Sequence, residues 1–132
     1  MTVTQLRQLV PAAEMAAIRR SAELSQCLAD MAANIGHIPA LYETDGNNAA
    51  VCQLHYFDIA GAADWYIYEI DQSTGEAFGF ATLSGEFNDP CAEYGYIDLY
   101  DLLRMPRINL DLHFSGLSKT EINQRRYGVT AA

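Results

Sequence analysis

Asp111, His113 and Glu69 are the residues whose types most readily suggest chemistry, because a histidine oriented by a carboxylate is the general-base half of many mechanisms. In the run Asn109–Phe114 the acid and the histidine stand two apart, on one face of an extended strand. Glu69 joins them in a common polar patch if that strand pairs beside the run Asp64–Asp71. No nucleophile accompanies them: the chain has no G-x-S-x-G, no P-loop, no H-E-x-x-H and no dinucleotide glycine fingerprint. Catalysis by Asp111, His113 and Glu69 is therefore the alternative reading, set against a histidine that is merely solvated on an open strand face. Cys52 and His55 have the C-x-x-H look of half a metal site, but on a continuous strand positions i and i+3 face opposite ways. Neither a metal nor a cofactor is expected. Cys27, Cys52 and Cys91 are odd in number and widely spaced, which fits reduced thiols rather than a disulfide framework.

A second chemistry is suggested by charge. Between Arg20 and Arg104 there is no Lys or Arg, while the same interval carries fourteen of the seventeen acids, and the whole chain has a net charge of -9. Phosphate contacts need cations, so direct nucleic-acid binding by the centre is not expected. A basic partner is. The candidate contact residues are Asp71, Glu76, Glu86, Asp89, Glu93, Asp98 and Asp101, interleaved with Tyr66, Tyr68, Tyr94, Tyr96 and Tyr100, since tyrosine is a favoured anchor at interfaces. Such a surface suits a basic nucleic-acid-binding protein or complex, in whose phosphate groove regular carboxylates can sit. A plain adaptor without mimicry is the neighbouring reading, and ordinary solvating charge is the plainest.

These residues need elements to hold them. At 132 residues, half of them apolar, the chain fits one domain (1–132) able to bury a proper core. It divides into a helical N-terminal part and connection (1–48), an antiparallel sheet (49–116) and a C-terminal helix and tail (117–132). A first helical turn over Thr4–Val10 is interrupted by Pro11, which opens a main helix whose stripe of Met15, Ile18, Leu28, Met31 and Ile35 runs to Asn34 and Gly36. Ala50–Phe57 reads as a strand with Val51, His55 and Phe57 on one side and Cys52, Leu54 and Tyr56 on the other. In Asp64–Asp71 alternation puts Trp65, Ile67, Glu69 and Asp71 on one face and Asp64, Tyr66, Tyr68 and Ile70 on the other. The period alone does not say which is buried.

Gly75 supplies the turn into Ala77–Leu83, where Gly79 leaves a gap that a cross-strand aromatic can fill. After the acidic loop 86–93, a strand at Tyr96–Asp98 leads into a helical turn over Leu99–Leu103. Asn109–Phe114 reads as a half-buried strand with Leu110, Leu112 and Phe114 inward. Ser118 and Glu121 form a capping box that opens a last helix to Tyr127, with Lys119 unfavourably placed for the helix dipole. The expected fold is α+β: an N-terminal helix packed on a four- to five-stranded antiparallel sheet, with a short C-terminal helix. No apolar run is long enough to span a membrane and the first residues lack a secretory pattern, so a cytoplasmic protein without membrane contact is expected.

The ordered set Gly61, Ala62, Trp65, Glu69 and Asp71, then Phe78 and Gly79, then Glu93, Gly95 and Tyr96, then Asp111 to Phe114, resembles a domain family of unknown function common on bacterial plasmids, phages and other mobile elements. The resemblance covers about half the chain, weakens before residue 50, and departs at the loop before Glu93, where Asn88–Ala92 replaces a glycine-rich apolar linker. It implies service to a plasmid or phage, with anti-CRISPR or antirestriction activity among the roles open to such a protein. It supplies no site.

Overall fold

A computed structural model describes residues 1–128; the tail expected at 129–132 lies outside the described residues. The chain begins with three helices: α1 (Val3–Arg7), α2 (Ala12–Arg19) and α3 (Ala22–Asn34). Thr2 and Gln5 close a capping box at the first. Pro11 precedes the second in extended conformation, as a residue without an N–H should. The single long helix expected from the stripe is broken at Arg20–Ser21. Ser21 leaves helical geometry and its hydroxyl accepts from the Leu24 N–H at 3.1 Å, so a cap opens a separate helix, and the buried Leu28 and Met31 of α3 need not continue the line of Met15 and Ile18 in α2.

The strands are β1 (Val51–Cys52), β2 (Leu54–Asp58), β3 (Asp64–Ile70), β4 (Glu76–Thr82), β5 (Glu93–Asp98), β6 (Ile108–Leu110) and β7 (Leu117–Ser118). The short helix α4 (Leu99–Leu103) follows β5, and α5 (Lys119–Tyr127) closes the described chain. Five strands form one antiparallel sheet in the order β5-β4-β3-β2-β6, and β1 pairs with β7 in a separate ribbon. The fold is α+β, as expected. Its sheet is covered on both faces. On one side Leu6, Ile18, Leu28 and Met31 of the N-terminal helices, with Leu99 and Leu102 of α4, meet Leu54, Tyr56, Ile67 and Leu110. On the other, Ile122 of α5 and Leu117 meet Tyr66, Tyr68 and Phe80.

Two covered faces explain why alternation in Asp64–Asp71 does not say which side is buried: both are. The alternation itself fails there: the β3–β4 register shifts between Ile67 and Glu69, so Tyr68 is an extra, bulged residue. Ile67 and Ile70 consequently share the helix-covered face, while Glu69 is released from it. Gly79 also differs from expectation. No aromatic fills its gap; a Cβ there would run into the Tyr66 carbonyl, so the glycine lets two strands approach. Gly75 sits at φ +81° beneath the Tyr100 ring and needs its left-handed freedom.

Two further corrections concern strand ends. The expected strand over Ala50–Phe57 breaks at Gln53, so Cys52 packs beside Tyr66 and Tyr68 rather than with Leu54 and Tyr56. The strand expected over Asn109–Phe114 stops at Leu110. Asp111 accepts the His113 N–H at 2.9 Å and the Phe114 N–H reaches the Asp111 carbonyl at 3.3 Å, a local turn that sends Leu112 and Phe114 to opposite sides of the sheet.

Candidate functional site

The carboxylate–histidine pairing expected at Asp111 is made, but with a different histidine. His55 Nδ1 lies 3.3 Å from Asp111 Oδ2 and Nε2 lies 2.7 Å from Asp64 Oδ1, and the ring stacks on Tyr66 with centroids 4.5 Å apart. Carboxylates only accept, so both contacts are hydrogen bonds when the ring carries a proton on each nitrogen. Both ring nitrogens are thus turned to carboxylates of the protein itself. His55 is a staple between β2, β3 and the segment after β6. His113 is exposed, and only its backbone N–H meets Asp111.

Glu69 is elsewhere, three positions along β3 from the Tyr66 that faces His55. It is almost fully buried and holds the loop 37–50: Oε1 accepts from the Tyr42 N–H and Oε2 from the Thr44 N–H, each at 2.8 Å, and Oε2 also accepts from the Thr44 hydroxyl. Burial alone would raise its pKa, but the bonds from Thr44 and Tyr42 and the charge of Lys119 bring it below the ordinary carboxylate range. The chain's single lysine, Lys119, turns away from the helix it starts. It donates to the Thr44 carbonyl and hydroxyl at 2.8 and 2.9 Å, over the rings of Tyr68 and Phe78. The trio Asp111, His113 and Glu69 is therefore not assembled.

His113 does line a cleft of about 550 Å³, with Cys27, Asp30, Asn34 and Gln53. Among the described residues, no three His, Cys, Asp or Glu side chains converge as metal ligands. Cys52 and His55, expected on opposite faces, both pack against Tyr66's side of the sheet because of the break at Gln53. Burial pushes the Cys52 thiol up to about 12, so it stays protonated and is neither ligand nor nucleophile at neutral pH.

The expected contact residues separate into those inside and those outside. Tyr66 and Tyr68 are buried and cannot meet a partner, a correction that follows from the second covered face. Tyr100 covers Gly75 and donates to the Gln72 carbonyl. Asp71 caps its own turn through Ser73, Asp101 pairs with Arg104 at 2.7 Å, and Asp89 accepts from the Cys91 N–H. The guanidinium of Arg125 lies 5.2 Å from the Phe87 ring centroid, within the loop that carries Glu86 and Asp89. That leaves β5. Glu93 and Asp98 stand exposed at its ends, Asp98 also capping α4 by accepting from the Asp101 N–H at 3.1 Å, while Tyr94 is half-buried and Tyr96 is 56% exposed. Tyr42 packs edge-on against Tyr96 at 6.4 Å, and Glu76 lies opposite Asp98. The Tyr96 phenol is pushed up to about 12, first by the Tyr42 hydroxyl, then by partial desolvation and by the charges of Tyr42, Asp45 and Glu76. Asp45 and Glu76 are the acids whose charge is felt at the exposed ring.

No family model, no curated protein and no solved structure matches this chain. Its chemistry has to be argued from its own residues. Among these, sequence reasoning passed over Tyr42 and Asp45, which lie in a connection without periodicity, and gave Lys119 no task. A lone lysine in an arginine-using chain was the one available signal.

Proposed function

We propose that the protein is a non-catalytic acidic binding module whose partner is a basic nucleic-acid-binding protein or complex. The observation that carries this reading is the β5 edge, where Asp45, Glu76 and Asp98 flank exposed Tyr42 and Tyr96 on one face, Glu93 stands exposed on the other, and none of these acids has an ion-pair partner among the described residues. Aromatic anchors within a rim of one charge sign suit a partner of the opposite sign. The motif resemblance to mobile-element proteins supports placing that partner in a host restriction or CRISPR complex, with the carboxylates occupying a phosphate-binding groove. Catalysis has less support, because both nitrogens of His55 are turned to the protein's own carboxylates and Glu69 is committed to a loop.

The test is affinity capture from host lysate at low and at high salt, with the wild type and with a Glu76→Gln, Glu93→Gln, Asp45→Asn variant. A nucleic-acid-binding complex held at low salt, released at high salt and lost with the variant supports the reading. Retention of every partner by the variant overturns it.

A further inference from the structure

Sheet edges expose unpaired backbone groups, and the two edges of this sheet are treated differently. At β6 the edge is short and occupied: the outward Leu110 N–H is bound by Glu14 Oε1 of α2 at 2.6 Å. At β5 the backbone directions follow from the register. The Leu99 N–H donates to the Gly75 carbonyl at 2.9 Å, which makes that a hydrogen-bonded pair; alternation along Glu76↔Asp98, Ala77↔Ile97, Phe78↔Tyr96, Gly79↔Gly95 and Phe80↔Tyr94 then turns Ile97 and Gly95 toward β4. The N–H and C=O of Tyr96 and Tyr94 point away from the sheet. No described residue bonds to them; Arg126 donates to the Ala92 carbonyl just before the strand. β5 has no proline, no lysine and no bulge; the edge protection it carries is the charge of Glu93 and Asp98.

Charge identifies the occupant. A second copy of the chain on this edge would bring Glu93, Asp98, Glu76 and Asp45 of both copies to one joint, each copy with a net charge of -9. Like charges across paired strands oppose such a dimer. An extended segment with Lys or Arg at alternate positions gains from the same acids, lays its aliphatic stems along Tyr96 and Tyr42, and pairs its backbone with Tyr94 and Tyr96. We infer that the open edge of β5 is a strand-addition site for an extended basic segment of the partner. This rests on the acidic-binding reading and specifies how that surface engages.

The probe is a short fluorescent peptide alternating lysine and valine, compared with a proline-interrupted peptide of equal charge that cannot pair as a strand and with a glutamate–valine counterpart. Binding is read by anisotropy and by amide hydrogen exchange. The expected result is binding of the lysine–valine peptide at low salt about tenfold tighter than the proline-interrupted one, with slowed exchange at the Tyr94 and Tyr96 amides. Tyr96→Pro removes an outward N–H while leaving the β4 ladder intact, so it should weaken binding about tenfold relative to Tyr96→Ala, which keeps that N–H. Equal binding of both basic peptides, with no protection at Tyr94 and Tyr96, would overturn strand addition and leave acidic binding standing. Failure of every basic peptide to bind would sink both. Protection that appears without peptide and grows with protein concentration would give the edge to a second copy and overturn the inference.

Discussion

Glu69→Gln tests whether one buried carboxylate holds the loop that shapes the β5 surface. The carboxylate accepts from the Tyr42 N–H on one oxygen and from the Thr44 N–H and hydroxyl on the other. A glutamine keeps one acceptor and turns the other into an NH2, which must face a donor whichever way the amide is flipped. One charged hydrogen bond is lost, worth about 1.5–3 kcal/mol, and a buried N–H is left unpaired at about 1–3 kcal/mol. The two overlap, so a net loss of about 3 kcal/mol is expected, or roughly 10 °C in Tm for a chain of this size. Glu69's native pKa is depressed, so its contribution is present above the ordinary carboxylate pKa and is lost as pH falls through the native value. Urea unfolding at pH 7 and at stepwise lower pH should therefore show the gap between wild type and variant narrowing below about 4.5. A gap under about 0.5 kcal/mol at pH 7, or one independent of pH, would refute the assignment of Glu69 as the ionised anchor of residues 42–44.

Three other outcomes are expected. Gly79 and Gly95 face each other across β4 and β5, yet a Cβ at Gly79 meets the Tyr66 carbonyl while one at Gly95 meets nothing within 4 Å. Gly79→Ala should cost about 3 kcal/mol or more in chemical denaturation, and Gly95→Ala should be neutral or stabilising by about 0.5 kcal/mol. Glu14 is raised from 4.5 to about 7, chiefly by burial. Between those values the native carboxyl keeps a proton that the unfolded chain has lost, so stability falls as pH rises. The shift corresponds to roughly 3 kcal/mol, which solvent screening reduces to about 1–2 kcal/mol, and Glu14→Gln should recover that amount at pH 8 and nothing at pH 4 in urea titrations. His55→Ala leaves Asp64 and Asp111 without their bridging ring. It should cost about 2 kcal/mol, and Asp111→Asn should be less damaging in that background than in the wild type, as a double-mutant cycle would measure.

Local chemistry was legible where a residue acts within its own element. Pro11, Gly75 and the Ser118–Glu121 box were readable because a missing N–H, a left-handed turn and a reciprocal cap are decided by a few neighbouring residues. Ser21 was equally local, yet the apolar residues were read as one stripe through it, although Leu28 and Met31 are out of helical phase with Met15 and Ile18. The bulge at Tyr68 and the turn at Asp111 were not readable. Each breaks an alternation by one residue: the bulge is set by the register against Phe78 and Gly79 across the hairpin, and the turn by the bonds of Asp111 to His113 and Phe114, with His55 beside it. Site residues followed the same division. Glu93, Asp98 and Tyr96 could be picked from composition, whereas Tyr66 and Tyr68 were lost to a second covered face that no single strand reveals.

The cations explain why the acid excess comes to rest at β5. Lys119 is turned inward to Thr44 and the Glu69 carboxylate behind it, Arg107 holds Asp58 at 3.2 Å, Arg104 holds Asp101, and Arg126 lies over Phe80 and Tyr94 while donating to the Ala92 carbonyl. Lys119, Arg107 and Arg126 tie separate segments together, while Arg104 pairs within the end of α4. None of these contacts reaches Glu76, Glu93, Asp98 or Asp45. The same economy that secures both faces of the sheet thus leaves its one open edge negative, and the open edge is where backbone groups remain to be paired. Charge and hydrogen-bonding capacity coincide on the Tyr94–Tyr96 segment because the structural cations are committed elsewhere, and for that reason a basic strand fits there better than a helix or a neutral one.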